Sequence, residues 1–104
     1  MSIQYNKAIR DKIPEIINKT GRKYSVKTLS DRDFLTELEK KLLEEVAEYN
    51  EGGRVEELVD IIEVIYRIAE LREISLNELE SIRIRKREER GAFSKNLFLV
   101  EAEK

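Results

Sequence analysis

At 104 residues the chain is one domain, large enough for a hydrophobic core but not for two. It has no Cys and no His, which excludes disulfides, thiolate nucleophiles and zinc fingers; catalysis is left to carboxylates, Lys, Arg, Tyr or hydroxyls, and a metal must accept oxygen ligands, as Mg²⁺ and Mn²⁺ do. No apolar run nears the length of a membrane span and no signal-peptide pattern opens the chain, so a soluble, cytoplasmic protein with no membrane partner is expected.

Charged residues make up 40% of the chain, Gln occurs once and Met only at position 1, a composition like that of thermophile proteins. The net charge of −2 hides a polarity along the sequence. Residues 1–33 carry eight Lys/Arg against four Asp/Glu, residues 37–60 carry three against nine, and residues 83–95 carry six against two. An acidic centre between two basic arms suits a metal-bridged polyphosphate, with carboxylates holding cations and Lys or Arg gripping the remaining phosphate oxygens. Ordinary surface charge is the plainer explanation.

In chain order, residues 5–12 (YNKAIRDK) lack a helical stripe and read as an ordered arm, in which Lys7, Arg10 and Lys12 are either phosphate contacts or simply solvated. Pro14 suits the first turn of a short helix ending near Lys19, with Gly21 as its stop, and Ile9, Ile13, Ile16 and Ile17 would pin this segment to the core. Tyr24, Val26 and Thr28 alternate with charged or small residues, which predicts a short strand over 24–28. Ser30 and Asp33 form a capping pair that opens a long helix, about 31–50. After Gly52-Gly53 a third helix, about 54–72, is apolar around much of its circumference, so it is central to the fold or lies at a subunit interface. Ser75 and Glu78 make a second capping box for a fourth helix towards Arg90, basic in its second half (RIRKREER), with Gly91 as its stop. The tail 96–100, NLFLV, is apolar enough for a strand pairing with 24–28; unpartnered, it would be a sticky edge. The expected architecture is mainly α, an antiparallel bundle of about four helices with short strands near residues 24–28 and 96–100.

The stretch that concentrates chemistry runs from Lys41 to Asp60, KLLEEVAEYNEGGRVEELVD. Glu45 with Glu48, and Glu57 with Asp60, are spaced to share a helix face, and the Gly-Gly turn folds one pair back towards the other. Four converging carboxylates call for cations. At 100° per residue, Phe34, Leu35, Leu38, Leu42, Val46 and Tyr49 occupy an arc of about 120° that the helix would bury, and Glu45 falls inside it. A core-facing carboxylate must be neutralised, paired with Lys or Arg, bound to metal, or lie at the frayed edge of the stripe. Glu57 likewise lies in line with Ile61, Val64, Ile68 and Leu71, whereas Asp60 belongs to the polar stripe of Glu56, Glu63, Arg67 and Glu70. No Gly-rich phosphate loop is present, so a P-loop or dinucleotide motif is excluded.

KLLEEVAE followed by EELVD resembles the K-x-x-E-E-x-x-E and E-x-x-D signature of the all-α NTP pyrophosphohydrolase superfamily, which includes MazG, dimeric dUTPases and phosphoribosyl-ATP pyrophosphohydrolase. The opening YNKAIRDKIPEII and the later RKREERGAFSKNLFLVE resemble a subgroup called MazG-like or phosphoribosyl-ATP pyrophosphohydrolase-like, so that the likeness covers most of the chain. The resemblance implies Mg²⁺-dependent hydrolysis of a nucleoside triphosphate to monophosphate and pyrophosphate, with removal of non-standard or damaged nucleotides as the broader role, by a homo-oligomer, most simply a dimer. By position, Glu45, Glu48, Glu57 and Asp60 match the metal ligands, Glu44 matches the acid that ligates metal or orients the attacking water, and Lys41 matches the signature lysine that offsets phosphate charge. The eight-residue connection between Glu48 and Glu57 is short compared with many members; Glu57 rather than Glu56 leads the second pair because Asp60 follows it by three.

Lys7, Arg10 and Lys12, or Arg87, Arg90 and Lys95, are then candidates to clamp the outer phosphates. Two other readings stand beside this one. A nucleic-acid module would use the basic end of the fourth helix, against which stand an acidic pI and the lack of interleaved aromatics. A non-catalytic helical assembly protein would have no need of the full carboxylate set.

Overall fold

The computed structural model describes residues 2–104 and contains four α-helices: α1 Ile13–Lys19, α2 Asp31–Gly52, α3 Val55–Leu71 and α4 Leu76–Arg90. Among the described residues no helix is long and apolar enough to cross a membrane. The helix ends follow local chemistry. Pro14 occupies the first turn of α1, where its missing N–H is no loss. The Ser30 hydroxyl accepts from the Asp33 N–H at 3.2 Å, starting α2. Ser75 and Glu78 complete a reciprocal capping box at the start of α4.

Two stops set the topology. Gly52 is still helical, and Gly53 alone turns the chain, at φ 64°, with its N–H on the Tyr49 carbonyl at 2.7 Å. At the end of α3 a non-glycine residue does the same work: Glu73 sits at φ 63°, the Ile74 N–H reaches back to the Ala69 carbonyl and the Glu73 N–H to that of Glu70, both at 2.9 Å. These are the two bonds of a Schellman stop.

The body of the protein is the α2–α3 hairpin, on which α4 packs only against α3. Its core is small: Leu38 and Val64 are buried together, flanked by Phe34, Leu42, Ile68 and Leu71. The third buried member of this cluster is Ala8, so the N-terminal arm is laid over the hairpin through a residue two positions from both Arg10 and Asn6. The isoleucines expected to pin this segment do less. Ile9, Ile13 and Ile17 are only half-buried, Ile16 is exposed, and α1 packs on none of the other helices. Ala8, not an isoleucine, is the arm residue buried with Leu38 and Val64.

The strands expected over 24–28 and 96–100 do not form. Both stretches are non-helical with no ladder partner among the described residues, and Tyr24, Val26, Leu97, Phe98, Leu99 and Val100 are exposed. A strand exists only as a pair. Here the tail leaves α4 through Gly91, at φ 87°, and forms no bridge with residues 24–28. Much apolar surface therefore stays open, including Val55, Leu58, Val59, Ile62, Ile65 and Tyr66 of α3.

Candidate functional site

The α2–α3 contact brings Glu45 and Glu48 of α2 within electrostatic reach of Asp60 of α3. Glu45 lies inside the buried arc of α2, as its angular position requires, and is 5% exposed, the one charged residue buried among the described residues. Its neighbours are unfavourable. One carboxylate oxygen is 3.6 Å from the Lys41 ammonium one turn earlier, while the other, Oε2, is buried with no hydrogen-bond partner among the described residues. Burial pushes the Glu45 carboxyl above the usual carboxylate range, the Glu48 and Asp60 carboxylates add to this, and Lys41 opposes it. Glu45, Glu48 and Asp60 thus form one interacting anionic group spanning both helices.

Glu57 is largely buried too, in keeping with its line along Ile61 and Val64, but it turns to Arg54 at 3.3 Å across the first turn of α3. Arg54 went unnoticed in the sequence, although a basic residue three before a carboxylate at a helix start is a local signal. Together Glu48, Glu51, Gly52, Arg54 and Glu57 line an open groove of about 360 Å³ at the hairpin turn.

Two basic residues of the arm reach the same side. Lys7 Nζ donates to Glu44 Oε1 at 2.9 Å, and this hydrogen bond holds the Glu44 carboxyl below its usual range and raises the Lys7 ammonium above its own. Arg10 donates to Asp60 Oδ1 at 2.5 Å, and its other terminal nitrogen lies 4.0 Å from Glu63. The remaining candidate cations, Lys12, Arg87, Arg90 and Lys95, form no ion pair among the described residues.

As the side chains stand, no three carboxylates of the described residues close into a ready cation cage. The donor set nevertheless suits a hard divalent cation. It is all oxygen, and it includes a buried carboxylate oxygen that nothing among the described residues satisfies, a state that costs about 1–3 kcal/mol or more for a charged group.

No family model matches the chain. An uncharacterized protein of Mycolicibacterium smegmatis is similar to part of it, at 44% identity over 55 aligned residues, which cover 44% of this chain and 56% of that protein. The chain therefore spans little more than half the length of that relative. No solved structure matches.

The charge on Glu45 opposes folding. Its folded-state carboxyl is raised, so its unfavourable contribution is absent below the ordinary carboxylate range and complete above the raised value. Without divalent cations, Glu45→Gln should raise the stability at pH 7 by about 1 kcal/mol. That gain should shrink as the pH falls through the carboxylate range. Urea denaturation at pH 7 and pH 4 checks this; a variant less stable than the parent at pH 7 would mean that the Lys41 ion pair outweighs the burial.

Proposed function

We propose that the protein is a Mg²⁺-dependent nucleotide pyrophosphohydrolase, hydrolysing a nucleoside triphosphate or related nucleotide to monophosphate and pyrophosphate. The observation that carries the reading is the buried, unpartnered Glu45 Oε2, set beside Glu48 and Asp60. A folded chain keeps an orphaned carboxylate next to like charges where a cation is to be held. In this reading Glu45, Glu48 and Asp60 hold the cation, Glu57 joins them by leaving Arg54, and Mn²⁺ can substitute. Mg²⁺, when bound, supplies neutralising charge to phosphate oxygens and to the leaving pyrophosphate.

The reaction breaks the anhydride bond between the first and second phosphates. A water oxygen bonds to phosphorus, pyrophosphate leaves, and a carboxylate takes the proton that the water gives up. In this reading Glu44 is that carboxylate; Lys7 keeps it ionised but also lowers its basicity, so it accepts the proton as the Lys7 contact loosens. Lys41, flanking Glu45, would offset phosphate charge, and Lys7 and Arg10 are the arm residues in reach of the site. The resemblance to the all-α pyrophosphohydrolases points the same way.

The working unit in this reading is an oligomer of identical chains, most simply a dimer. The chain exposes 9893 Å², whereas a folded monomer of its mass exposes about 6,100 Å². Its radius of gyration is 18.1 Å, against about 13 Å for a compact chain of this length. The excess, about 3,800 Å² per chain, is more than the roughly 1,000–2,500 Å² per partner of most obligate interfaces, so it leaves ample surface for a second chain to cover, and it includes the apolar row of α3 and the tail.

Pyrophosphate release with Mg²⁺, across standard and modified nucleoside triphosphates and phosphoribosyl-ATP, tests the reaction. At least one substrate should be cleaved, and Glu45→Gln should lower the rate by at least about a hundredfold. Release that survives in this variant would remove Glu45 from the site, and no release from any substrate would favour a non-catalytic assembly role. Light scattering tests the assembly: the parent should show at least twice 12.3 kDa, and Ile62→Asp, on the open face of α3, should yield monomer. A monomeric parent would contradict the surface argument.

A further inference from the structure

From the open side of α3 we infer that two copies of this chain pair through α3 in antiparallel register, about a two-fold axis at Ile62. The pairing rests on the oligomer of the proposed function and gives it an interface; it is independent of the cation and of the reaction. α3 has two apolar faces, and the chain covers one of them. Val64, Ile68 and Leu71 belong to the core formed with Leu38 of α2. Ile62 lies about 160° around the helix from Val64, in a second row made of Val55, Leu58, Val59, Ile62, Ile65 and Tyr66. At about 100° per residue this row spans an arc of about 120°, and no charged residue between Val55 and Tyr66 falls inside it. Every member is between 37% and 64% exposed. One apolar stripe serves one neighbour, so a second stripe calls for a second neighbour.

The occupant that fits is a second copy. Covering these six side chains on both copies removes roughly 1,000 Å², the lower bound for a specific interface, and the excess surface of the chain supplies more than that. The row is also its own complement. Leu58 and Tyr66 stand four residues either side of Ile62, and Val59 and Ile65 stand three either side. A two-fold axis at Ile62 therefore sets Ile62 against its own copy, Leu58 against the second copy of Tyr66, and Val59 against the second copy of Ile65. An isologous contact has this form, in which residue i meets j while j meets i.

The direction follows from α4. Ala69 continues the row at its C-terminal end but is buried, at the corner where α3 turns into α4. A parallel pair would bring the two corners together at one end. The antiparallel pair sets them about 21 Å apart along the axis and places each beside the open N-terminal end of the other α3, where Val55 is the most exposed member of the row. Opposed helix dipoles favour the same direction. Asp60, like Val64, lies about 160° around the helix from Ile62, so it points away from the contact and the acidic residues of the hairpin stay open to solvent. The dimer is then a row of four helices, with the two copies of α3 inside and the two copies of α2 outside.

The chain has no Cys, so cross-linking through introduced cysteines reads the register directly. Facing residues of two packed helices have Cα atoms about 4–6 Å apart, within disulfide reach. On oxidation Ile62→Cys should form a linked dimer at least about tenfold faster than Leu58→Cys or Tyr66→Cys, whose own copies lie about 12 Å apart along the axis. The double variant Leu58→Cys/Tyr66→Cys should link as fast as Ile62→Cys, and it carries the test if Ile62→Cys fails to fold. Val55→Cys, the most exposed position of the row, controls for random collision and should link no faster than Leu58→Cys. Equal linking of all the single variants would mean a parallel or nonspecific contact and would overturn the inference. A parent at twice 12.3 kDa by light scattering, with no link in either Ile62→Cys or the double variant, would also overturn it and leave the oligomer resting on another surface, such as the tail. A monomeric parent would overturn both this interface and the oligomer on which it rests.

Discussion

The buried carboxylate of Glu45 is the constraint on which the rest of the structure turns. It sits where the helical repeat of α2 would place an apolar residue, and its second oxygen has no partner. Replacing it by leucine would enlarge a core that consists of only a few side chains around Leu38 and Val64. A chain with so little to bury gives up one of its best core positions to a charge. The surrounding charges follow from that choice: Lys41 flanks it, Glu48 and Asp60 crowd it, and Arg10 and Lys7 draw the arm down over the hairpin. Fold and site therefore share one surface, the contact between α2 and α3.

Much of this was legible in the sequence because it depends on local repeat. The 100° stepping of Phe34, Leu38 and Leu42 already puts Glu45 on the buried side, and Glu57 in line with Val64. Capping by Ser30 and Ser75 is likewise a matter of three residues, and both caps form. Only Gly53 needs a left-handed backbone, while Gly52 completes α2.

What could not be read is what depends on distance along the chain. Lys7 and Glu44 are 37 residues apart and Arg10 and Asp60 are 50 apart, so no window of sequence contains either pair. Ala8 gave no signal at all, since an alanine becomes a core residue only when neighbouring elements close on it. The isoleucines around it looked the better anchors by side chain and are not. The missing strands fail for the same reason: alternation in 24–28 and apolarity in 96–100 describe segments that can pair, and nothing in either segment says with what. Their exposed apolar side chains, with those of α3, give physical weight to an assembled form in which a second chain covers them.

The account stands on the claim that Glu45 is kept charged and buried to hold a cation, and the dependence of Tm on Mg²⁺ tests that most directly. At neutral pH the parent should gain stability with Mg²⁺, by about 2.7 kcal/mol when the concentration reaches a hundredfold of the dissociation constant. Glu45→Gln should start from a higher Tm and gain nothing. Equal responses of parent and variant, or no response from the parent at millimolar Mg²⁺, would contradict the account.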